Sequence, residues 1–148
     1  MKARSSSDLS IRRELAWTLL NRTAVQLYLS RGFFSYGEVD ALPSRREQGY
    51  EAHLRLKLFG WLPLWVHHQR FTKVDPEEHE ILVEERGGPY GQWDHVMRVV
   101  AAPNERSTYV DEIEVGAGWW TPLVGLFAWL LARKRATRFA ELAKLLVD

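Results

Sequence analysis

Two histidines surrounded by large apolar side chains are the residues of this chain with the clearest chemical potential. His67 and His95 each lie in a segment whose large side chains are separated by even numbers of residues. If both segments are β-strands, each set lies on one face, because successive side chains of a strand point to opposite faces. The sets are Trp65, His67 and Phe71 in the first segment, and Trp93, His95 and Met97 in the second.

These two sets of large side chains have two interpretations, and both stay open. Ordinary core packing explains such spacing, and so does a pocket lined by large rings with a few polar points. Seven tryptophans in 148 residues favour a pocket or an interface, because an indole combines a large apolar ring with a polar N–H. We expect the pocket to include Trp120, Val124 and Phe127, which come from the beginning of the last helix.

Established catalytic and metal-binding patterns are not found. His79-Glu80 begins like the zinc-protease motif but lacks its second histidine. His67 and His68 are adjacent and should point to opposite faces, which leaves a site from His67 and His95 on neighbouring strands as the alternative. The chain has no cysteine, which excludes thiolate zinc sites and thiol nucleophiles. We therefore predict no metal, no cofactor and no specific catalytic residue.

Carboxylates are plentiful on the later strands, but their partners depend on the strand register. A turn at 103–104 would place Asp111 opposite Arg98, or Glu114 opposite His95. A shift of one residue changes both pairs, so no acid or base is chosen. The carboxylates in question are those of Glu84, Glu85, Asp111, Glu112 and Glu114.

Composition narrows the class of protein. A length of 148 residues with 46% hydrophobic and 26% charged residues predicts a single domain over 1–148. A net charge of +1 is far from the basic imbalance of nucleic-acid binding. The N-terminus has no apolar segment of the secretory type, and the lack of cysteine suits a reducing compartment, so we expect a cytoplasmic protein.

Hydrophobic periodicity predicts the elements that position these residues. A short strand over Met1–Ser7 and helices over Ser10–Asn21 and Thr23–Ser30 precede an irregular connection over Phe33–Arg46. From Gly49 onward the period changes to two, which predicts an antiparallel meander joined by short turns. Its strands are expected at Tyr50–Leu58, Leu62–Lys73, His79–Arg86, Trp93–Ala101 and Ser107–Val115.

The last element is predicted as one long helix from Thr121-Pro122 to about Val147. Its apolar stripe is wide enough to lie across a sheet, and its start is apolar nearly all round. Because one sheet contact does not need that much apolar surface, a transient membrane contact or a homodimer through this start is an alternative. The stripe comprises Val124, Ala128, Leu131, Phe139, Leu142 and Leu146. The apolar start comprises Trp119, Trp120, Leu123, Phe127 and Trp129. A basic cluster that we expect to face water comprises Arg133, Lys134, Arg135 and Arg138.

The order of elements resembles the START and Bet v 1-like superfamily, also called SRPBCC, and its polyketide cyclase-like branch in particular. The local likeness lies in Leu15-Ala16-Trp17, in Gly88-Pro89-Tyr90 followed by Trp93 and His95, and in Thr108–Asp111. The resemblance implies an α+β helix-grip fold, in which a curved antiparallel sheet wraps around a long C-terminal helix and two short helices follow the first strand. It also implies ligands such as lipids, quinones or polyketides held between sheet and helix.

These observations lead to one expected function and two alternatives. We expect the chain to bind or carry a small hydrophobic ligand between the sheet and the last helix. An enzyme of the cyclase or aromatase type, using a pocket histidine or carboxylate, is the first alternative. Docking on membranes or on a second copy through the apolar start of the last helix is the other.

Overall fold

The computed structural model describes residues 1–37, 42–88 and 90–147. Within them, a seven-stranded antiparallel sheet curves around one long C-terminal helix, and two short helices follow the first strand, as predicted. The elements are β1 (Lys2–Leu9), α1 (Arg13–Leu20), α2 (Thr23–Ser30), β2 (Phe34–Tyr36), β3 (Glu51–Leu58), β4 (Leu62–Asp75), β5 (Glu80–Gly87), β6 (Tyr90–Ala102), β7 (Arg106–Gly116), a short 3₁₀ helix (Gly118–Trp120) and α3 (Thr121–Leu145).

The strand order is β1-β7-β6-β5-β4-β3-β2, so β3 to β7 form the predicted meander. The first strand closes one edge by pairing with β7. At the other edge, β2 pairs with β3 within a segment that was expected to be irregular. That expectation was wrong for Phe34–Tyr36, because a strand of three residues is too short to produce a readable alternation.

Alternation along the strands places one face of the sheet in the interior. On β3 the buried side chains are Ala52, Leu54 and Leu56, and the residues between them are exposed. The same period buries Trp93, His95, Met97 and Val99 on β6. Because side chains two apart share a face, the imidazoles of β4 and β6 point to the same interior as the apolar side chains around them.

The register between β6 and β7 differs from the predicted one by a single residue. Asp111 lies opposite Met97 rather than Arg98. Glu114 lies opposite Asp94 rather than His95. The last pair before the turn is Ala102 with Arg106, which leaves a three-residue loop at 103–105. Proline has no N–H to donate to a closing pair, and the two residues after it adopt positive φ of 62° and 55°.

The helix α3 packs on β1 and β7 through a stripe of mainly small residues. Alanines at 128, 132, 136 and 143 let the helix axis approach the sheet closely, and Phe139 fills the space between them. Of the predicted stripe, Ala128, Leu131 and Phe139 are buried, whereas Leu146 lies beyond the helix end and is half exposed. In the described part of the chain, no helix is long and apolar enough to cross a membrane.

Candidate ligand cavity and its buried polar chain

A cavity lies between the inner face of β3 to β6, the helix α2 and the middle of α3. Its volume is about 70 Å³, whereas a site for one water needs about 10–15 Å³ on this measure. The cavity therefore has room for a small organic group, and a larger ligand requires its lining to move. The lining residues are Thr23, Gln26, Leu27, Ser30, Phe34, Tyr36, Leu42, Pro43, Arg46, Tyr50, Leu54, Leu56, His67, Gln69, Phe71, Glu85, Tyr90, Trp93, His95, Met97, Leu131 and Arg135.

Five of the predicted pocket residues lie together in this lining. They are buried on the inner face of β4 and β6, which brings the two predicted sets to opposite sides of β5. The alternative site built from His67 and His95 assumed neighbouring strands, but β5 separates them and contributes an acid between the two imidazoles. The five are His67, Phe71, Trp93, His95 and Met97.

Trp65 is not part of the lining, because its ring packs against the turn that follows β5. A Cβ atom added to Gly88 would lie only 2.3 Å from this ring, and one added to Gly87 2.8 Å from it. Tyr90 meets the same ring edge-on, with centroids 5.7 Å apart. Trp65 therefore supports a glycine turn in which both glycines adopt positive φ.

The predicted contribution from the start of the last helix lies outside the cavity. Trp120 is 52% exposed, and Val124 and Phe127 pack on an apolar cluster around Trp93 and Ile113. Of the residues of α3, only Leu131 and Arg135 belong to the lining, one turn and more beyond this segment.

A chain of hydrogen bonds crosses the floor of the cavity from β4 to β6. The Tyr90 hydroxyl lies 2.9 Å from Nδ1 of His67, and Nε2 of His67 lies 2.7 Å from Oε2 of Glu85. Because an ionised carboxylate only accepts, Nε2–H of His67 donates to Glu85. The other oxygen of Glu85 lies 3.8 Å from Nδ1 of His95.

Asp111, a buried residue of β7, extends this series of hydrogen bonds. Nε2–H of His95 donates to its Oδ1 over 2.5 Å. Its Oδ2 accepts from the Tyr109 hydroxyl over 2.5 Å and from Nε of Arg135 over 2.9 Å. The carboxylate is thus held by three donors at a position with no solvent exposure.

Arg135 connects the chain to α2. Its Nη1 donates to Oγ of Ser30 over 2.6 Å, and its Nη2 donates to Oε1 of Gln26 over 2.5 Å. The side-chain amide of Gln26 donates in turn to the carbonyl of Leu20 over 2.9 Å. Arg135 was expected to face water with its basic neighbours, and this expectation was wrong. Its distance of four residues from both Leu131 and Phe139 places it on the buried face of α3.

The buried charges compensate one another. Burial by itself would raise the pKa of Glu85, but the hydrogen bond from His67 and the nearby imidazole of His95 hold that pKa well below its usual range. Burial is likewise outweighed at Asp111, where His95 and Arg135 lower the pKa to about 2. Burial would lower the pKa of His95, yet the carboxylates of Asp111 and Glu85 raise it. Each carboxylate therefore lies beside proton-donating partners, Glu85 beside the two imidazoles and Asp111 beside His95 and Arg135.

Two further polar groups of the lining, Arg46 and Tyr36, lie outside this hydrogen-bonded network. The guanidinium of Arg46 lies over the ring of Phe71, with Cζ 4.7 Å from the centroid. Burial, and then the positive charge of Arg135, lower the pKa of Arg46 to about 10, so the group stays charged at neutral pH. Burial, and then the charge of Glu85, raise the pKa of Tyr36, so its hydroxyl keeps its proton.

The sequence signals for the missed residues differ in strength. Glu85 continues the alternation of Ile81 and Val83, which places it on the inner face and could have identified it. Arg46 and Tyr36 have no such periodic signal. Among the described residues, no cluster of histidine and carboxylate side chains has the arrangement of a metal site.

Comparison with known proteins relates this chain to others through its fold. No family model and no curated protein matches the sequence. A point mutant of norcoclaurine synthase from Thalictrum flavum, solved with a transition-state analogue, has 13% identity and a TM-score of 0.70 over 100% of this chain and 96% of that one. A protein from Chromobacterium violaceum has 15% identity and a TM-score of 0.67 over 96% of both chains.

A conserved protein from Geobacillus kaustophilus has 17% identity and a TM-score of 0.65 over 97% of this chain and 95% of that one. At such identities the likeness concerns the fold, which is the Bet v 1-like helix-grip fold. Norcoclaurine synthase from Thalictrum flavum has also been solved in complex with dopamine and hydroxybenzaldehyde. Small aromatic ligands are therefore found in a protein with this fold.

Proposed function

We propose that residues 1–148 form a single domain that binds a small, largely apolar ligand in the cavity between the sheet and α3. The observation that carries the proposal is the two-sided lining of the cavity. Apolar side chains such as Leu54, Leu56 and Trp93 face a row of buried, hydrogen-bonded polar groups across free space. Protein interiors are otherwise close-packed, with few voids larger than a water molecule.

The polar row fits the orientation of a ligand. Ligand pockets are lined mainly by apolar and aromatic side chains, with a few polar groups that fix the ligand's position. Tyr90, His67 and Glu85 present such groups in the lining, and their mutual hydrogen bonds hold them in place. The complex of norcoclaurine synthase with dopamine and hydroxybenzaldehyde supports small aromatic compounds as a first set of candidates.

Tryptophan fluorescence provides a direct test, because Trp93 is the tryptophan that lines the cavity. We expect quenching on titration with compounds from a panel of fatty acids, quinones and aromatic polyketides, and a bound species in native mass spectrometry. The variant Trp93→Phe should lose most of the quenching. The variant Trp61→Phe changes an exposed tryptophan and should leave the quenching unchanged.

A blocking variant separates binding in the cavity from binding elsewhere. Leu27 lines the cavity from α2, so Leu27→Trp should fill part of it and weaken binding by at least about tenfold, which corresponds to 1.4 kcal/mol. Leu126→Trp adds the same bulk at an exposed position of α3. Equal affinities for both variants, or no binding by the wild type, would refute the proposal.

A second candidate function is proton-transfer catalysis of the cyclase or aromatase type. The specific observation in its favour is the hydrogen-bonded row of imidazoles and carboxylates, which suits a general acid or base beside a bound substrate. Turnover of a polyketide mimic should fall on replacing His67 by Gln or His95 by Asn. Activity that is insensitive to both changes would exclude this role.

A third candidate function is docking on a membrane or on a second copy of the chain. Trp119 is 85% exposed and Leu123 60% exposed at the start of α3. Phe127, which we had included in this surface, instead packs edge-on against Phe33 and Phe34. Liposome sedimentation and light scattering test the idea, and a monomer that does not bind lipid would reject it.

A cytoplasmic location is proposed, and the absence of cysteine supports it.

A further inference from the structure

The cavity is lined by a cation, Arg46, that has no ionic partner among the described residues. Within residues 1–37, 42–88 and 90–147, the guanidinium of Arg46 forms no ion pair, and its Nε is buried without a hydrogen-bond partner. The chain positions it through the segment after Pro43, where the backbone N–H of Arg46 donates to the carbonyl of Asn21 over 3.0 Å. Its neighbour in the cavity is the face of Phe71.

The charges around Arg46 make it the exception in the lining. Glu85 is paired with His67, and Asp111 is paired with His95 and Arg135. Arg46, by contrast, has no carboxylate within ion-pair distance in the described part of the chain. Placing a charge in a low-dielectric interior is costly unless an opposite charge accompanies it.

We infer that the ligand carries a carboxylate, which pairs with Arg46 while the apolar body of the ligand occupies the rest of the cavity. The inference rests on the proposed function of ligand binding. Guanidinium presents a planar fork of donors that matches the two oxygens of a carboxylate. Tyr36 lines the same space, and its protonated hydroxyl makes no hydrogen bond within the described part of the chain, so it is a second donor for the acid.

The discriminating experiment compares acids with neutral amides of the same shape. We would measure the binding of 2-naphthylacetic acid against 2-naphthylacetamide, and of octanoic acid against octanamide, by calorimetry at pH 7. Hydrogen bonds to charged groups contribute more than neutral ones, so the wild type should prefer each acid by at least about tenfold. Arg46→Gln should bring the ratio of acid affinity to amide affinity close to one.

Arg45 provides the matched control, because it is the adjacent arginine and is exposed. Arg45→Gln should retain the full preference for the acids. Arg46→Lys keeps the charge but not the fork, so it should retain part of the preference. Circular dichroism of each variant shows whether it folds, and the wild-type comparison of acid with amide needs no variant.

The outcomes separate this inference from the proposed function. If acids and amides bind equally well, or if Arg46→Gln keeps the preference, the inference fails and ligand binding stands. If neither the acids and amides nor the broader panel of compounds binds the wild type, the proposed function fails as well. A preference for acids that disappears equally in Arg45→Gln would indicate a general charge effect and would overturn the role of Arg46.

Discussion

The ion pair between Asp111 and Arg135 gives the most demanding test of the buried polar chain. Asp111 has no exposed surface and Arg135 is 3% exposed, and Nε of Arg135 lies 2.9 Å from Oδ2 of Asp111. Removing one member of a buried pair leaves an uncompensated charge, which costs about 3–5 kcal/mol. We expect Asp111→Asn and Arg135→Met each to lower the free energy of unfolding by about this amount.

The double variant should lose much less than the sum of the two. With both groups replaced, neither member of the pair is left as an unpaired buried charge. The hydrogen bonds of Arg135 to Ser30 and Gln26 are lost in both Arg135→Met and the double variant, so they cancel in the cycle. A coupling energy of about 2–3 kcal/mol is expected for residues in direct contact.

Urea unfolding at pH 7 measures these energies, with tryptophan fluorescence and far-UV circular dichroism as independent probes. The exposed pair Glu51 and Arg70, 3.7 Å apart, is the control. Glu51→Gln should change the free energy of unfolding by no more than about 0.5 kcal/mol. Effects of Asp111→Asn and Arg135→Met that add within about 0.5 kcal/mol would refute the compensation argument.

Three further predictions follow from single features of the fold. The folded-state pKa of Asp111 is lowered to about 2. The stability that Asp111 contributes is therefore present above its unfolded pKa and is lost as the pH falls towards 2. When the urea midpoint is measured against pH, Asp111→Asn should reduce the loss of stability at acidic pH. Phe139→Ala should cost about 3–5 kcal/mol in urea unfolding, and a loss below 1 kcal/mol would contradict its role between α3 and the sheet. Gly88→Ala should cost more than Gly60→Ala in thermal unfolding, because a Cβ at Gly88 meets the ring of Trp65 whereas one at Gly60 has no atom within 4 Å; equal losses would show that the contact is irrelevant.

The strands could be predicted because their signal is local. In β3, inward Leu54 and Leu56 alternate with outward Arg55 and Lys57, and burial on one face follows from the geometry of a strand. The same rule places His67 and His95 inward. The short strand β2 provides only three residues, too few for a period to be read.

The register between neighbouring strands could not be predicted from this alternation of side chains. The predicted pairing of β6 and β7 is shifted by one residue from that of the structure, in which Pro103 lies inside a three-residue loop. One residue of difference changes the partner of Asp111 from Arg98 to Met97. Its side chain then meets His95, which lies two residues from Met97 along β6, and so becomes part of a buried network.

The sequence by itself determined the helix-grip order of elements and the inward direction of the aromatic and imidazole side chains, because both follow from periods of two and about 3.6 residues. The tertiary structure decided which groups meet. Arg135 reaches Ser30 across 105 positions of the chain and Asp111 across 24. Such contacts depend on how α2 and α3 close over the curved sheet, and no local period records that closure. The place of Arg46 inside the cavity was decided in the same way.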